Sequence, residues 1–360
     1  MNNYNINFII YIYNKLHFLL FDNDSKNYNI TKIYNDKNII YKTIILKSSY
    51  VKMRQQILSS CDKNNDVLIY LNEEYSLEKE RFLKFLYENG YKYTGPPHYH
   101  YHISRQEMKT LAITSNILTP NYVFVYSTKN LQEQVKNLNY PMFVKPENGA
   151  DSNYIDNNSK VNNFEELNKQ TKYLLDTYGG VLIEEFIDGR EFSIAVYGNL
   201  NEINTYDPVE YNFKNSETNF LTLTHKHNNE ATYWYEKVYD DNIIHRCKIL
   251  ANTFFKIMNT NGYYRLDLRM DSNNNIYFLE INSYPSIFKN SGSAFDTILE
   301  CNNVIPYDFL QNMIKYSNKK IDTLDVKLTY KKCMFIIVNS DESIIEYFGD
   351  NLYSNNNKKI

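Results

Sequence analysis

The chain has 360 residues and a formal net charge of -3, enough for two or three domains of ordinary size. That charge gives no broad positive footprint for nucleic acid or an anionic membrane. Four cysteines (Cys61, Cys247, Cys301 and Cys333) are scattered without C-x-x-C spacing, which argues against a disulfide framework or zinc ribbon and points to a reducing, cytoplasmic compartment.

Taken in chain order, the run "INFIIYIYNKLHFLLF" is too short to span a bilayer and is interrupted by Asn14, Lys15 and His17. It lacks a basic n-region and a small-residue cleavage site, so it reads as buried strand and not as a signal peptide. "DVLIYL" is a second apolar strand. "SLEKERFLKFLYENG" is a helix: Ser76 caps it, Glu78 and Glu80 suit its first turn, and Gly90 suits its stop. Its apolar stripe is Phe82, Leu83, Leu86 and Tyr87. Residues 1–95 therefore form an α/β domain by pattern. "HYHYH" at 98–102 has three imidazoles at period two, which could bind zinc on one strand face, although alternating histidines are more often incidental. A helix at about 104–116 ends before Thr119-Pro120. Strands "NYVFVY" and "YPMFVKP", the polar loop "ENGADSNYID", a helix near "FEELNKQTKYLLDTY", and strands "VLIEEFI" and "EFSIAVYGN" around Asp188-Gly189 follow. A helix over about 241–259 carries Ile243, Cys247, Leu250, Phe254 and Met258 on one stripe. A helix near 306–316 precedes a tail whose one strand-like run is "CMFIIVNS". Neither a P-loop nor a dinucleotide fingerprint occurs.

The segment "YYRLDLRMDSNNNIYFLEIN", residues 263–282, reads as a hairpin around a polar turn. One antiparallel register satisfies both alternations. It pairs Leu266 with Ile281, Leu268 with Leu279 and Met270 with Tyr277. The same register sets Asp267 against Glu280 and Arg265 against Asn282. Opposed carboxylates are destabilising, and a cation between them removes the conflict; hard oxygen ligands of this kind suit Mg²⁺. A solvated hairpin in which Arg265 and Arg269 neutralise the acids fits the residues equally well.

The three stretches "YPMFVKPENGADS", "VLIEEFIDGREFSIAVYG" and "GYYRLDLRMDSNNNIYFLEINSYPS" resemble the ATP-grasp fold, and most closely the D-alanine–D-alanine ligases and related carboxylate–amine ligases. The likeness runs from about residue 66 to 316, with "SRQEMKTLAITSNILTP" similar to the family's "DKxxxK…GIPTP" segment. It implies an α/β (α+β) ATP-grasp fold behind an N-terminal pre-ATP-grasp domain: residues 1–95 for that domain, 96–180 for the central subdomain, 181–318 for the C-terminal subdomain, and 319–360 as an extension of unassigned role.

Residue by residue, the resemblance implies that Lys145 contacts the α- and β-phosphates of ATP, with Arg105 where a second phosphate-contacting lysine usually stands. Glu184, Glu185, Phe186 and Ile187 correspond to the hinge that reads adenine through its backbone, and Glu191 to the acid on the ribose. Ser152 lies in the loop over the phosphates. Lys226 corresponds to a lysine aimed at the transferred phosphoryl group. Asp267, Glu280 and Asn282 correspond to ligands of two Mg²⁺ ions, a role Mn²⁺ could also fill. Arg265 corresponds to the arginine that stabilises the acyl phosphate and tetrahedral intermediate, and Ser291 to a serine that holds the acceptor.

Three features depart from the family. Its N-terminal glycine-rich turn and following acid are not visible, and Glu73 or Glu74 would have to supply that carboxylate. Its Gly- and Ser-rich phosphate loop keeps only Gly149 and Ser152. Its "NTxPG" is "NSYPS", with Ser286 for the glycine. The expectation is therefore an ATP-dependent ligase that joins small-molecule carboxylate and amine substrates, amino acids or a peptide-like metabolite, through an acyl phosphate. A D-alanine–D-alanine or D-Ala–D-X ligase of cell-wall synthesis and a non-catalytic ATP-binding protein are the alternatives. No nucleic-acid or membrane partner is expected, and related ligases suggest a homodimer.

Overall fold

The computed structural model describes residues 5–11, 41–46, 49–64, 66–71, 76–148, 155–214, 220–222, 232–287, 293–317, 334–338 and 344–348. It divides into two units, Met1–Lys319 and Lys320–Ile360.

The first unit begins with a parallel sheet in the order β2-β1-β3-β4, built from β1 (Asn5–Tyr11), β2 (Tyr41–Leu46), β3 (Asp66–Leu71) and β4 (Lys92–Tyr93). Helices α1 (Tyr50–Ser60) and α2 (Leu77–Glu88) connect its strands, as parallel neighbours require a crossover. Ser76 caps α2 by accepting from Lys79 N–H, and Gly90 follows it at φ +75°. Phe82, Leu83 and Leu86 are buried as the helical stripe anticipates. His98–His100 forms a short 3₁₀ turn, not a strand. The three imidazoles therefore share no strand face, and the segment is a connector.

Helix α3 (Arg105–Thr114) starts on a capping box between Ser104 and Glu107. An antiparallel sheet follows in the order β5-β8-β6-β7, from β5 (Tyr122–Val125), β6 (Met142–Pro146), β7 (Lys160–Val161) and β8 (Val181–Glu185). A single turn, α4 (Leu131–Gln134), lies between β5 and β6, and α5 (Phe164–Tyr178) packs on the apolar face of Val144, Ile183 and Val181.

The largest sheet runs β12-β11-β9-β13-β14, with β10 paired to β9. Its strands are β9 (Arg190–Asn199), β10 (Glu202–Thr205), β11 (Val209–Phe213), β12 (Tyr233–Lys237), β13 (Gly262–Met270) and β14 (Ile276–Ser283). Helix α6 (Asp241–Met258) covers the face carrying Phe192, Ile194, Val196, Leu266, Leu268, Phe278 and Ile281. The opposite face carries the charged residues. Helices α7 (Ala294–Cys301) and α8 (Pro306–Lys315) complete the unit.

The β13–β14 register corrects the sequence reading in its second half. Arg265↔Asn282, Leu266↔Ile281 and Asp267↔Glu280 hold as expected, but a bulge then shifts the ladder to Leu268↔Phe278, Arg269↔Tyr277 and Met270↔Ile276. Phe278, not Leu279, therefore enters the core, stacked on Phe254 at 4.2 Å between centroids. The bulge coincides with a long-range contact: Phe278 N–H donates to Leu118 O at 2.7 Å, and its carbonyl accepts from Thr119 Oγ1 at 3.0 Å. The segment after α3 thus takes the backbone groups that a regular ladder would use, and the extra residue is accommodated as a bulge.

The second unit shows a hairpin of β15 (Met334–Val338) and β16 (Ile344–Phe348). The first of these strands is the one expected in "CMFIIVNS".

Candidate functional site

The polar face of the large sheet gathers Glu191 and Ser193 from β9, Arg265, Asp267 and Arg269 from β13, and Glu280 and Asn282 from β14, because each set follows the two-residue period of its strand. Asp267 is buried and fully engaged. Arg265 grips it with a bidentate fork, Nε to Oδ1 and Nη2 to Oδ2, both 2.9 Å. Ser193 Oγ donates to Oδ1, and Asn282 Nδ2 donates to Oδ2 at 2.8 Å. Such a fork is a strong, directional form of ion pair. Burial opposes the charge on Arg265, but the Asp267 carboxylate outweighs it and holds the guanidinium well above its ordinary pKa.

A second cluster is built on the small sheet. Glu184, on β8, accepts from Lys145 Nζ of β6 at 2.6 Å and pairs with Lys109 Nζ of α3 at 2.7 Å. All three are nearly inaccessible to solvent. Burial works against the Glu184 charge, but the two ammonium groups prevail and hold it at about 2. Burial, with help from Lys145, draws Lys109 down to about 8 against the pull of Glu184. One carboxylate between two lysines leaves one positive charge uncompensated within the cluster. Lys109 also donates to Thr119 Oγ1 at 2.7 Å, so the cluster is tied through Thr119 to the bulge at Phe278.

Arg105 links the two sheets. Its Nη1 donates to Pro146 O at 2.8 Å, one residue after Lys145, and its Nη2 lies 3.6 Å from Glu280 Oε2. Its Nε is buried with no hydrogen-bond partner among the described residues.

The segment expected to form the hinge runs from the end of β8. The Glu185 carboxylate is held by Asn121 and Asn139, and the N–H groups of Glu185 and Phe186 donate to Asn121 O and Pro141 O. Gly189, at φ +148°, sits so close to β13 that a Cβ would lie 2.0 Å from Met270 O; only glycine fits. Arg269 secures this approach, donating from Nη2 to Gly189 O at 3.1 Å and from Nη1 to Glu191 Oε2 at 3.2 Å, with its guanidinium 4.7 Å from the Phe186 ring centroid. Burial first, then the Asp267 and Glu280 carboxylates, push Glu191 up to about 7 against Arg269.

Of the residues the sequence singled out, the fold brings Arg105, Lys145, Glu184 to Ile187, Glu191, Arg265, Asp267, Glu280 and Asn282 around one region between the two antiparallel sheets. Ser152, Lys226, Ser291 and the N-terminal acids Glu73 and Glu74 lie outside the described residues. Among the described residues no group of three or more His, Cys, Asp or Glu side chains is assembled for a metal. Lys109, Ser193 and Tyr211 carry no role in the sequence reading, and Arg269 enters it only as a cation that neutralises the hairpin acids. Lys109 stands four residues after Arg105 on one helix face, and Ser193 two residues after Glu191, so periodicity alone could have found both. Tyr211 arrives through the pairing of β11 with β9, which no local pattern announces.

The family model described as "D-ala D-ala ligase C-terminus" matches residues 112–315. The chain belongs to the D-alanine–D-alanine ligase family. It is thereby an ATP-grasp ligase of the carbon–nitrogen bond-forming kind, and ATP is its nucleotide. A D-alanine–D-alanine ligase of Thermosipho melanesiensis is 27% identical over 341 residues, which cover 85% of this chain and 90% of that relative. D-alanine–D-alanine ligase B of Clostridium tetani is 30% identical over 197 residues, half of this chain and 53% of the relative. Among solved structures, the D-alanine–D-alanine ligase of Bacillus anthracis complexed with ATP superposes with TM-score 0.61 at 16% identity, covering 88% of this chain and 97% of that one. The VanG D-Ala:D-Ser ligase of Enterococcus faecalis gives 0.64 at 16% identity, covering 87% and 99%. The structural likenesses carry the fold; membership of the ligase family rests on the sequence match.

Proposed function

We propose that this chain joins D-alanine, as carboxyl donor, to the amine of a second small D-amino acid, using ATP and releasing ADP and phosphate. The observation that carries the reading is the Arg265–Asp267–Glu280–Asn282 array, tied by Arg105 to the strand that carries Lys145. The relatives' names support the D-amino acid class.

Asp267, Glu280 and Asn282 offer two carboxylates and an amide oxygen on adjacent strands, a hard donor set that fits Mg²⁺. They would hold the metal ions, which when bound neutralise charge on the phosphates. Asp267 is engaged by three side chains, so metal uptake exchanges one of these contacts for the ion.

The remaining roles belong to the chain's own side chains. Lys145, Arg105 and Lys226 neutralise the phosphates, the first with its charge steered by Glu184. Ser152 belongs to the segment that the family resemblance assigns to the loop over the phosphates. The backbone at Glu184–Ile187 reads the adenine edge, and Glu191 accepts from the ribose hydroxyls. The donor carboxylate oxygen attacks the γ-phosphorus and the bond to the ADP oxygen breaks. The acceptor amine, having given its ammonium proton to solvent, then attacks the acyl carbon; the carbon–oxygen bond to phosphate breaks as the amide forms, and the departing phosphate takes the second nitrogen proton. Arg265, permanently charged, stabilises the oxyanion that develops between these steps. Ser291 holds the acceptor.

The test is ADP release from Mg²⁺-ATP with pairs of amino acids. We expect turnover with D-alanine plus D-alanine or D-serine and none with the L-enantiomers. Absence of turnover with every D-pair, alongside firm ATP binding, would overturn the reading in favour of a binding protein. Asp267→Asn and Glu280→Gln should lower turnover by about 10²-fold or more with an unchanged circular dichroism spectrum. Unchanged activity in either would remove that residue from the site.

A further inference from the structure

Asp267 accepts from Arg265 on both of its oxygens, so its carboxylate is an acceptor only. Ser193 faces it directly across the β9–β13 ladder, and its hydroxyl donates to Oδ1. A hydroxyl has a single hydrogen. The Ser193 hydrogen is committed to Asp267, so Ser193 Oγ can only accept from its other neighbour, the Tyr211 hydroxyl 3.0 Å away. Tyr211 must therefore be the donor. Its ring is held edge-on by Tyr235 at 4.7 Å between centroids. Tyr211 is 7% exposed and Ser193 is fully buried, so water does not compete for these bonds. Burial, reinforced by the Asp267 charge, pushes the Tyr211 phenol well above its ordinary pKa and keeps it a donor.

We infer that Tyr211 and Ser193 are positioning residues for Asp267: a one-way relay, Tyr211 O–H to Ser193 Oγ and Ser193 O–H to Asp267 Oδ1, clamps the carboxylate for metal binding. The inference rests on the reading of Asp267 as a metal ligand. Ser193 approaches from β9, away from Asn282 and Glu280 on β14, so it anchors Oδ1 from the side opposite the other donors. The contact on Oδ2 is made by Asn282, itself a candidate ligand. Taking up an ion can therefore exchange the Asn282 contact while the Ser193 anchor stays in place. Without the anchor, the carboxylate is free to follow the guanidinium of Arg265.

The experiment titrates Mn²⁺ into the full-length chain with ADP present, following the metal by electron paramagnetic resonance. Ser193→Ala should weaken Mn²⁺ about 10- to 100-fold, the usual effect of removing a side chain that orients a metal ligand. Tyr211→Phe keeps the ring and should weaken it about three- to tenfold. Because Tyr211 acts only through Ser193, the double variant should be no weaker than Ser193→Ala. At saturating Mg²⁺, Tyr211→Phe should recover the wild-type kcat. A purely structural role would lower the melting temperature and leave Mn²⁺ affinity alone. Wild-type Mn²⁺ affinity in both single variants, or additive effects in the double, overturns the relay. Glu280→Gln separates the two readings. If it loses Mn²⁺ while Ser193→Ala keeps it, the metal site stands and the relay fails. If the wild type takes up no Mn²⁺ with ADP, the metal reading fails and the relay with it.

Discussion

Glu184 shows how a single side chain can set the electrostatics of a buried cluster. It is 3% exposed and carries its charge only because Lys109 and Lys145 stand within 2.7 Å. Removing one partner of a buried ion pair strands the other, and here two lysines would be stranded. Glu184→Gln should therefore destabilise the fold by about 3–5 kcal/mol at neutral pH, as urea unfolding would measure. The pH dependence has a definite sign. The folded value of about 2 lies below the ordinary 4.5, so the unfolded chain binds more protons between these limits. The contribution is complete above 4.5 and is lost as pH falls towards 2. The stability gap between wild type and Glu184→Gln should narrow over that interval. A gap that stays constant would mean that Glu184 is not ionised by its two lysines. The sequence made Glu184 visible only as part of an adenine hinge; its side-chain role depends on α3 arriving beside β8, a contact with no local signature.

At the scale of the element, the β13–β14 hairpin separates what alternation can reveal from what it cannot. The half nearest the charged cluster follows period two, so Arg265↔Asn282 and Asp267↔Glu280 were legible from residue types alone. The turn was legible too, since Asp271 accepts from the N–H groups of Asn273 and Asn275. Between them the reading slipped, because the alternation of Tyr277, Leu279 and Ile281 is formally as good as the true pattern. The bulge goes with Leu118 and Thr119, remote from Phe278 in sequence though adjacent in space. The helices were legible for the opposite reason. Caps such as Ser76 and stripes such as Ile243, Cys247 and Phe254 are local. The bulge makes a discriminating prediction. Phe278→Ala should cost about 3–5 kcal/mol by leaving a cavity against Phe254, while Leu279→Ala, half-buried, should cost clearly less. Equal unfolding midpoints for the two variants would contradict the bulged register.

For the first unit as a whole, the candidate site belongs to no single sheet. Lys145 and Glu184 come from the small antiparallel sheet, Asp267 and Glu280 from the large one, and Arg105 from the helix that reaches both. Nucleotide binding should therefore stabilise the assembled unit, and Arg105 should be central to that coupling because its guanidinium joins the strand of Lys145 to Glu280. A ligand bound only by the folded state adds RT ln(1 + [L]/Kd), about 2.7 kcal/mol at a hundred times Kd. A charged hydrogen bond to phosphate contributes about 1.5–3 kcal/mol, so Arg105→Ala should weaken Mg²⁺-ADP by roughly 10- to 100-fold. At the same ligand concentration the stabilisation should then fall to about 0.4–1.4 kcal/mol. Arg105→Lys keeps the charge but not the fork and should lie between the two. Thermal or urea unfolding with and without Mg²⁺-ADP reads all three. If Arg105→Ala retains the full ligand-induced shift, Arg105 is only a strut between Pro146 and Glu280, and the phosphates are held by the lysines alone.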